Sequence, residues 1–418
     1  MRGRAVAVLL LTILAAAPSG CGGKFDLPTE HPGRIVPSNQ SYGMLKTWRG
    51  VDGIQDLILT QGQGNQLFAV FNHGGSGGPQ VARGEVRLYA LSGQLDPAND
   101  HPTPITGGYF EPPRQLFNPI AIAGGSNHLY VLDQGDSCMA KFDARRGTCE
   151  PDPEVTPASD STTFPRHPFR NQVFDYLATW RVREYGLGGG DTLSTFTDTT
   201  VSQPSGISAD DQGRVYVAGL VTVLDTLQTD QRIRTRKLVS RVYRYSRGPK
   251  YRAGDVGLDH DSLDVNMPGT SAWHRDTTWV VFDGTGASSV ADPRGIYWSP
   301  RGTHPLFIAD RGNNQAKGVS TNEVAVSVVR VDGSASGANL NHPESVTADL
   351  AGFFYICDRD SRRVLRYDLS GEFIQRVDIE PNVDGQPLLD PTSVAVDDSL
   401  AYVADRGRGQ IVRYKRRP

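Results

Sequence analysis

The sequence predicts an all-β fold, a six-bladed β-propeller, from three observations. Turn-forming residues are abundant, with 46 glycines and 27 prolines among 418 residues, which leaves little room for long helices. Short runs of β-branched and aromatic residues lie between these turns and are typical of strands. The runs also recur as one unit, which consists of a proline, a β-rich run, a turn and an apolar strand that ends near an aspartate.

Six copies of this unit follow one another along the chain. Five clear copies begin at Pro119, Pro204, Pro293, Pro343 and Pro391, and a weaker copy begins at Ile54. A third strand follows in each, for example at 364–368 in the fifth copy. A unit of three or four strands cannot bury both faces alone, so it must stack on its neighbours. Six stacked units can close into a ring that has no free end.

The chain termini indicate how the ring closes. The last copy stops after its third strand, while an additional strand at 42–48 precedes the first copy. It resembles the outermost strand of the fifth copy, at 371–377. We therefore expect the N-terminal strand to complete the last blade, and the propeller to span residues 43–418 as one domain. Extra residues at 151–169, 222–236 and 248–275 predict long loops in the first half.

One segment also resembles a known repeat family. Asp358-Arg-Asp-Ser-Arg-Arg-Val-Leu-Arg-Tyr-Asp-Leu-Ser-Gly371, preceded by His342-Pro-Glu-Ser-Val, resembles an NHL repeat, and the copies at 293–333 and 391–415 are similar to it. This resemblance implies a propeller and, for most members, non-catalytic binding, while a minority of related propellers are metal-dependent lyases or lactonases. The third copy departs from the pattern, because Gly219 replaces the repeated aspartate. A shared fold does not decide between these functions.

Residues 1–20 predict a lipoprotein signal peptide. Two arginines precede an apolar run at 5–17, which is too short to span a bilayer. Ser19 and Gly20 before Cys21 resemble the bacterial lipoprotein box, which implies that the Cys21 thiol is acylated and anchors the chain in the membrane. An ordinary cleaved signal is the alternative. Residues 21–42 are then a tether, the protein is extracytoplasmic in the cell envelope, and Gly22 implies the outer membrane if the cell is Gram-negative.

Disulfides can persist in such a compartment. Cys138 and Cys149 flank a turn-like segment at 143–147, so we expect a disulfide between them across a hairpin. Cys357 lies in an apolar run and is expected to be a small buried residue. The charge balance, 43 basic against 46 acidic residues, gives no electrostatic reason to expect a nucleic acid partner.

The residues around the repeat prolines should ring one mouth of the central channel, because the strand that follows is innermost. A calcium or zinc site could be built there from Asp292, His342, Glu344 and Asp390, and would serve a metal-dependent hydrolase or lyase. The plainer interpretation, which we favour, is that Asp and His before proline form turns and that Arg294 pairs with Glu344 between blades. On that interpretation no cofactor is expected.

Arginines recur near the same mouth. Arg311, Arg359 and Arg406 each follow a repeated aspartate, and with Arg294 and Glu344 they would form a ligand-binding rim. Guanidinium groups there could receive an anionic envelope protein or glycan. The leading hypothesis is therefore a lipid-anchored, non-catalytic binding or scaffold protein. The alternative is a metal-dependent hydrolase or lyase at the channel mouth, so catalysis stays open.

Overall fold

A computed structural model of the chain describes most of the predicted propeller. The described residues are 41–60, 66–72, 84–90, 103–105, 116, 118–124, 128–134, 142–143, 148–149, 180–186, 192–196, 198, 200–226, 234–247, 256–257, 273–299, 305–322, 325, 327–332, 338–382, 384–397 and 399–417. All of them belong to the unit Ser38–Pro418. No helix within these residues is long and apolar enough to cross a membrane.

The first strand, β1, is followed by six sheets that we number as blades 1 to 6 in chain order. Strand β1 is Tyr42–Arg49, and blade 1 comprises β2 Ile54–Thr60, β3 Gln66–Asn72, β4 Gly84–Ala90 and β5 Thr103–Ile105. Blade 2 comprises β6 Pro119–Gly124, β7 His128–Asp133, β10 Arg181–Gly186 and β11 Thr192–Phe196, with a small hairpin of β8 Phe142–Asp143 and β9 Thr148–Cys149.

The remaining four blades continue this order along the chain. Blade 3 comprises β12 Val201–Ala209, β13 Val215–Thr226, β14 Arg234–Arg247, β15 Val256–Gly257, β16 Trp273–Asp283 and β17 Ser289–Val290. Blade 4 comprises β18 Pro293–Trp298, β19 Leu306–Asp310, β20 Gln315–Val319 and β21 Ser327–Val331. Blade 5 comprises β22 Pro343–Ala348, β23 Phe354–Asp358, β24 Arg363–Tyr367 and β25 Phe373–Arg376, and blade 6 comprises β26 Pro391–Val396, β27 Leu400–Asp405 and β28 Gln410–Arg416.

The first strands of the blades form the inner wall of a ring. Each inner strand contacts the inner strand of the next blade, and β26 of blade 6 contacts β2 of blade 1. The second strands are buried on both faces because each blade packs between two others; all five residues of β23, for example, are buried. Cys357 lies in that strand as a buried free thiol, and burial raises its pKa well above the usual value. The predicted all-β six-bladed propeller is confirmed.

The ring closes through the N-terminal strand, as predicted. Strand β1 pairs antiparallel with β28, from Tyr42 opposite Arg416 to Arg49 opposite Gln410. The Trp48 ring stacks between Tyr89 of blade 1 and Tyr402 of blade 6, with ring centroids 5.7 and 5.8 Å away. Backbone hydrogen bonds between β1 and β28 and one buried aromatic stack therefore close the ring between blade 6 and blade 1.

A repeated aspartate fastens the first strand of a blade to its second strand. Its carboxylate accepts the backbone N–H of a residue just before the repeat proline, and it is at most 2% exposed in four blades. The donor and acceptor pairs are Asn118 to Asp133 at 2.8 Å, Ala291 to Asp310 at 2.7 Å, Asn341 to Asp358 at 2.6 Å and Asp390 to Asp405 at 2.9 Å. This recurring aspartate is thus a structural residue.

Blade 3 departs from this pattern. A Cβ atom at Gly219 would lie 2.5 Å from the carbonyl oxygen of Gln203, so the close approach of β12 to β13 requires glycine. Residues 222–236 of this blade were expected to form a loop. The described residues 222–226 and 234–236 instead lengthen β13 and β14, which pair with each other as far as Thr226 and Arg234. The extra segment at 151–169 lies outside the described residues, as do most residues of 248–275.

The small hairpin of blade 2 occupies the position where a disulfide was expected. Phe142 pairs with Cys149 across the predicted turn. Cys138 lies outside the described residues, so its disulfide with Cys149 stays a prediction. The same holds for Cys21 and the signal peptide, which precede the first described residue.

Candidate functional site at the channel mouth

Strand direction determines which residues meet at one end of the channel. Each inner strand begins at this end, and each second strand returns to it, since the two pair antiparallel. The turn after the second strand therefore lies beside the start of the inner strand. We call this end of the channel the arginine mouth, because Arg294, Arg311, Arg359 and Arg406 lie there.

A common turn geometry holds three of these arginines. Arg311 and Arg406 each open a single turn of 3₁₀ helix, and Arg359 opens the corresponding turn of blade 5, where the Arg362 N–H donates to the Arg359 carbonyl at 2.9 Å. Each turn ends on a residue in the left-handed region, with φ of 53°, 54° and 56° at Asn314, Arg362 and Gly409 respectively. Equivalent backbones in adjacent blades place the arginines at equivalent positions around the mouth.

Ion pairs link these arginines to carboxylates of the same or the adjacent blade. Arg294 contacts Asp292 at 3.1 Å, and Asp292 also lies 3.8 Å from Arg311. Glu344 of blade 5 lies 3.7 Å from Arg311 and 3.6 Å from Arg359. Arg294 thus pairs within its own blade, and the predicted pairing with Glu344 was wrong because the arginines of the turns reach Glu344 instead.

The contacts between arginines and neighbouring polar side chains continue into blades 6 and 1. Asp390 accepts a hydrogen bond from Arg359 at 2.7 Å and one from Arg406 at 3.0 Å. Arg406 then donates to the side-chain oxygen of Gln55 in blade 1 at 3.3 Å. We call the seven charged residues the arginine ladder: Asp292, Arg294, Arg311, Glu344, Arg359, Asp390 and Arg406.

The arginine ladder contains four guanidinium groups and three carboxylates, so it carries a net positive charge. Its side chains are between 17% and 38% exposed, which leaves them accessible from solvent. Burial lowers the pKa of Arg359, but its hydrogen bond to Asp390 and the charge of Glu344 outweigh this and leave the pKa raised. Guanidinium groups held in this way are permanent cations.

The other half of the mouth is linked by uncharged amides. Asn72 of blade 1 donates to the side chain of Asn118 in blade 2, and Asn118 donates to Gln134 at 3.3 Å. Asn72, Gln134 and Leu220 occupy the positions that Arg311, Arg359 and Arg406 occupy in the other blades. The mouth therefore has a charged side and an amide side.

The four residues proposed as metal ligands do not come together as one group. His342 Nδ1 lies 2.6 Å from Asp360, while Asp292, Glu344 and Asp390 each contact arginines. Asp292 and His342 have φ of 47° and 56°, as the turn interpretation requires. Among the described residues no three His, Cys, Asp or Glu side chains form a group that could hold a metal ion. The calcium or zinc site stays a prediction.

Behind the arginine mouth lies a cavity of about 210 Å³ inside the channel. All six inner strands line it. Residues that directly follow the start of each repeat form its outer ring, and they are Gln55, Ile120, Ser205, Arg294, Glu344 and Thr392. Deeper in the channel, burial raises the pKa of the Tyr297 hydroxyl to about 12.

Asp56 is an acidic group within the channel wall. Its carboxylate accepts hydrogen bonds from the Ser393 hydroxyl at 2.6 Å, from the Leu57 N–H at 2.8 Å and from the Ile122 N–H at 2.9 Å. It thereby connects blade 1 to blades 6 and 2. Burial raises the pKa of Asp56, although these hydrogen bonds oppose the rise.

Sequence reasoning found the charged residues of the arginine ladder and missed other residues of this site. Gln55 and Asp56 were missed because the first copy has Ile54 where the other copies have proline. Thr392 directly follows a repeat proline, so the rule that identified Arg294 and Glu344 also identifies it.

No family model matches the chain, and no curated protein matches it in sequence. Its structure is similar to a catalytically inactive variant of virginiamycin B lyase from Staphylococcus aureus with quinupristin, at 10% identity, a TM-score of 0.44 and coverage of 90% of this chain and 99% of that chain. It is also similar to the PQQ-bound aldose sugar dehydrogenase from Streptomyces coelicolor, at 11% identity, a TM-score of 0.45 and coverage of 91% and 99%. At such low similarity these comparisons concern the fold alone.

Proposed function

We propose that this propeller is a lipid-anchored, extracytoplasmic binding protein whose arginine mouth receives an anionic glycan or protein of the cell envelope. The observation that carries the proposal is the arginine ladder, in which four guanidinium groups surround three carboxylates on an accessible rim. Guanidinium groups that are already positioned bind carboxylates or sulfates with little further loss of side-chain entropy.

The position of the first strand supports a mouth that faces away from the membrane. Tyr42 pairs with Arg416, the last residue of β28, and therefore lies at the end of the channel opposite the arginine mouth. A tether that precedes Tyr42 joins the propeller on that opposite face. The anchor itself rests on the resemblance of residues 19–21 to the lipoprotein box. Replacement Cys21→Ser should release the protein from the membrane fraction and abolish its labelling by a fatty acid.

The binding role is tested by charge reversal on the full chain in detergent. The probes are polygalacturonate and polyaspartate, measured by biolayer interferometry at low and at physiological salt. The double variant Arg359→Glu and Arg406→Glu should weaken binding of both probes at least about tenfold, because each charge-assisted contact contributes about 1.5 kcal/mol or more. Salt should weaken binding to the wild-type protein, since the rim is accessible.

A matched control changes the net charge equally at the opposite end of the channel. Lys415 and Arg416 lie at the end of β28, far from the arginine mouth in strand order. The double variant Lys415→Glu and Arg416→Glu should retain most of the binding. Equal loss in the two double variants would show that net charge alone attracts the probes, and would contradict the proposed role of the rim.

A further inference from the structure

We propose that the cavity behind the arginine mouth binds one ring of an acidic sugar, such as a hexuronate unit of a glycan. This inference rests on the proposed binding function, and it identifies the class of ligand. The cavity has two unlike walls. On the side of blades 1 and 2, Ile58 and Ile120 form an apolar wall beside Gln55 and Gln134, whereas Arg294, Glu344 and Thr392 form a polar wall on the side of blades 4 to 6.

Polar atoms in this wall lack hydrogen-bond partners. Thr392 is 5% exposed, and in the described part of the chain its hydroxyl makes no hydrogen bond. The same is true of Arg294 Nε. Glu344 Oε2 also makes no hydrogen bond, although the guanidinium groups of Arg359 and Arg311 lie 3.6 and 3.7 Å from it. Buried polar atoms are normally hydrogen-bonded, so these three groups are suited to water or to a polar ligand. They comprise one acceptor, one donor and one hydroxyl that can act as either.

This combination favours a sugar acid over an acidic peptide. A carboxylate on an Asp or Glu side chain only accepts hydrogen bonds, so an acidic peptide would have to bring a backbone N–H to Glu344, whereas a sugar acid carries donor hydroxyls on the same ring as its carboxylate. A sugar hydroxyl donates to Glu344 and exchanges a hydrogen bond with Thr392. The carboxylate of a hexuronate pairs with the arginines at the mouth.

The apolar wall and the volume fit the same ligand. One face of a pyranose ring consists of C–H groups, which can pack on Ile120 when the hydroxyls at the ring edge face the polar wall. The cavity of about 210 Å³ corresponds to about seven water molecules at about 30 Å³ each. That space is smaller than the pockets of 300–1,000 Å³ that accept drug-sized ligands, so it suits a single ring.

The test compares three probes on the full chain in detergent: trigalacturonate, neutral maltotriose and polyaspartate. Ile120→Trp fills the cavity without replacing any residue of the arginine ladder. We expect it to weaken trigalacturonate binding at least about tenfold and to leave polyaspartate binding unchanged. Thr392→Val removes one hydroxyl at constant shape and should weaken trigalacturonate binding about threefold to tenfold. Circular dichroism and melting temperatures verify folding. If Ile120→Trp does not fold, the effect of Thr392→Val on trigalacturonate binding tests the cavity site by itself.

Each outcome decides the proposal. Trigalacturonate binding that neither variant changes would overturn the cavity site, while the rim would remain supported if Arg359→Glu still weakened that binding. Maltotriose binding as tight as trigalacturonate binding would overturn the acidic part of the assignment. Absence of binding by both anionic probes would overturn the proposed function together with this inference. Saturation-transfer NMR signals from the ring protons of trigalacturonate, lost in Ile120→Trp, would support it.

Discussion

Blades 4 to 6 and blades 1 to 3 form one ring from sequences of different regularity. In blades 4, 5 and 6 the second strands contain five or six residues, and each ends in an aspartate followed by an arginine. In blade 3 the second strand contains 12 residues and the aspartate is replaced by Gly219. The inner strands nevertheless contact one another around the whole ring.

This difference between the blades shows that the scaffold and the arginine mouth depend on different residues. The scaffold needs apolar strands of the right period and a tight junction between first and second strand. The charge of the mouth depends on the residue that follows this junction, which is Arg311, Arg359 or Arg406 on one side and Asn72 or Gln134 on the other. The fold therefore tolerates either a charged or an uncharged residue at this position, and both kinds occur in this chain.

The largest effect is expected where a regular blade loses its aspartate. Asp358 is buried, accepts the Asn341 N–H and pairs with Arg363 at 2.8 Å. Asp358→Ala leaves a buried donor and a cation without their partner, and should lower the free energy of unfolding by about 3 kcal/mol. Urea unfolding followed by fluorescence measures this. Asp358→Asn, which keeps an acceptor for the Asn341 N–H, should recover part of the loss, and equal losses for Ala and Asn would contradict the role given to the carboxylate.

The second prediction concerns blade 3, in which the aspartate is replaced by Gly219. Gly219→Asp restores the residue that the repeat pattern favours, so a comparison of repeats predicts that it stabilises the protein. The structure predicts the opposite, because any Cβ atom there meets the backbone of Gln203 and Pro204 at 2.5 and 2.8 Å. Gly219→Ala should cost about 2 kcal/mol of unfolding free energy, and Gly219→Asp at least as much. A melting temperature raised by Gly219→Asp would refute this account of blade 3.

The smallest effect concerns a carboxylate away from the arginine ladder. The pKa of Asp56 is raised by burial, so the folded state holds a proton at pH values where the unfolded state has lost it. Its contribution to stability is therefore full below the unfolded pKa of about 3.9 and is lost as pH rises through the folded pKa. Asp56→Asn removes this titration, and in urea unfolding the wild-type stability relative to the variant should fall as pH rises from about 4 through the folded pKa.

Asp276 provides a control of opposite sign. Burial would raise the pKa of Asp276, but hydrogen bonds from Arg244 and Thr278 outweigh burial and lower it. Wild-type stability relative to Asp276→Asn should then fall as pH decreases through the folded pKa. If the stability difference between wild type and variant depended on pH in the same way for Asp56→Asn and Asp276→Asn, the local environment of each carboxylate would not determine that pH dependence.

Much of the fold was readable from the sequence because a propeller is a repeat. Strand starts at Pro293, Pro343 and Pro391 coincide with the repeat prolines, and the closing strand was found from an unpaired strand at the other end. Blade 3 was less readable, because the mixed polar and apolar residues at 222–226 and 234–236 gave no sign that β13 and β14 extend over them. Pairing between the two strands overrides local preference there.

By itself the sequence determined that strands recur six times, that the outermost strand of blade 6 comes from the N-terminus, and that arginines recur near one mouth of the channel. Only the tertiary structure decided which charges meet. Arg294 pairs with Asp292 and not with Glu344. Thr392, Glu344 and Arg294, each of which has a buried side-chain atom without a hydrogen bond, line one cavity. The physical reason is that hydrophobic period and turn residues act locally along the chain, whereas ion pairs and cavities depend on distances of a few ångströms between blades that are far apart in sequence.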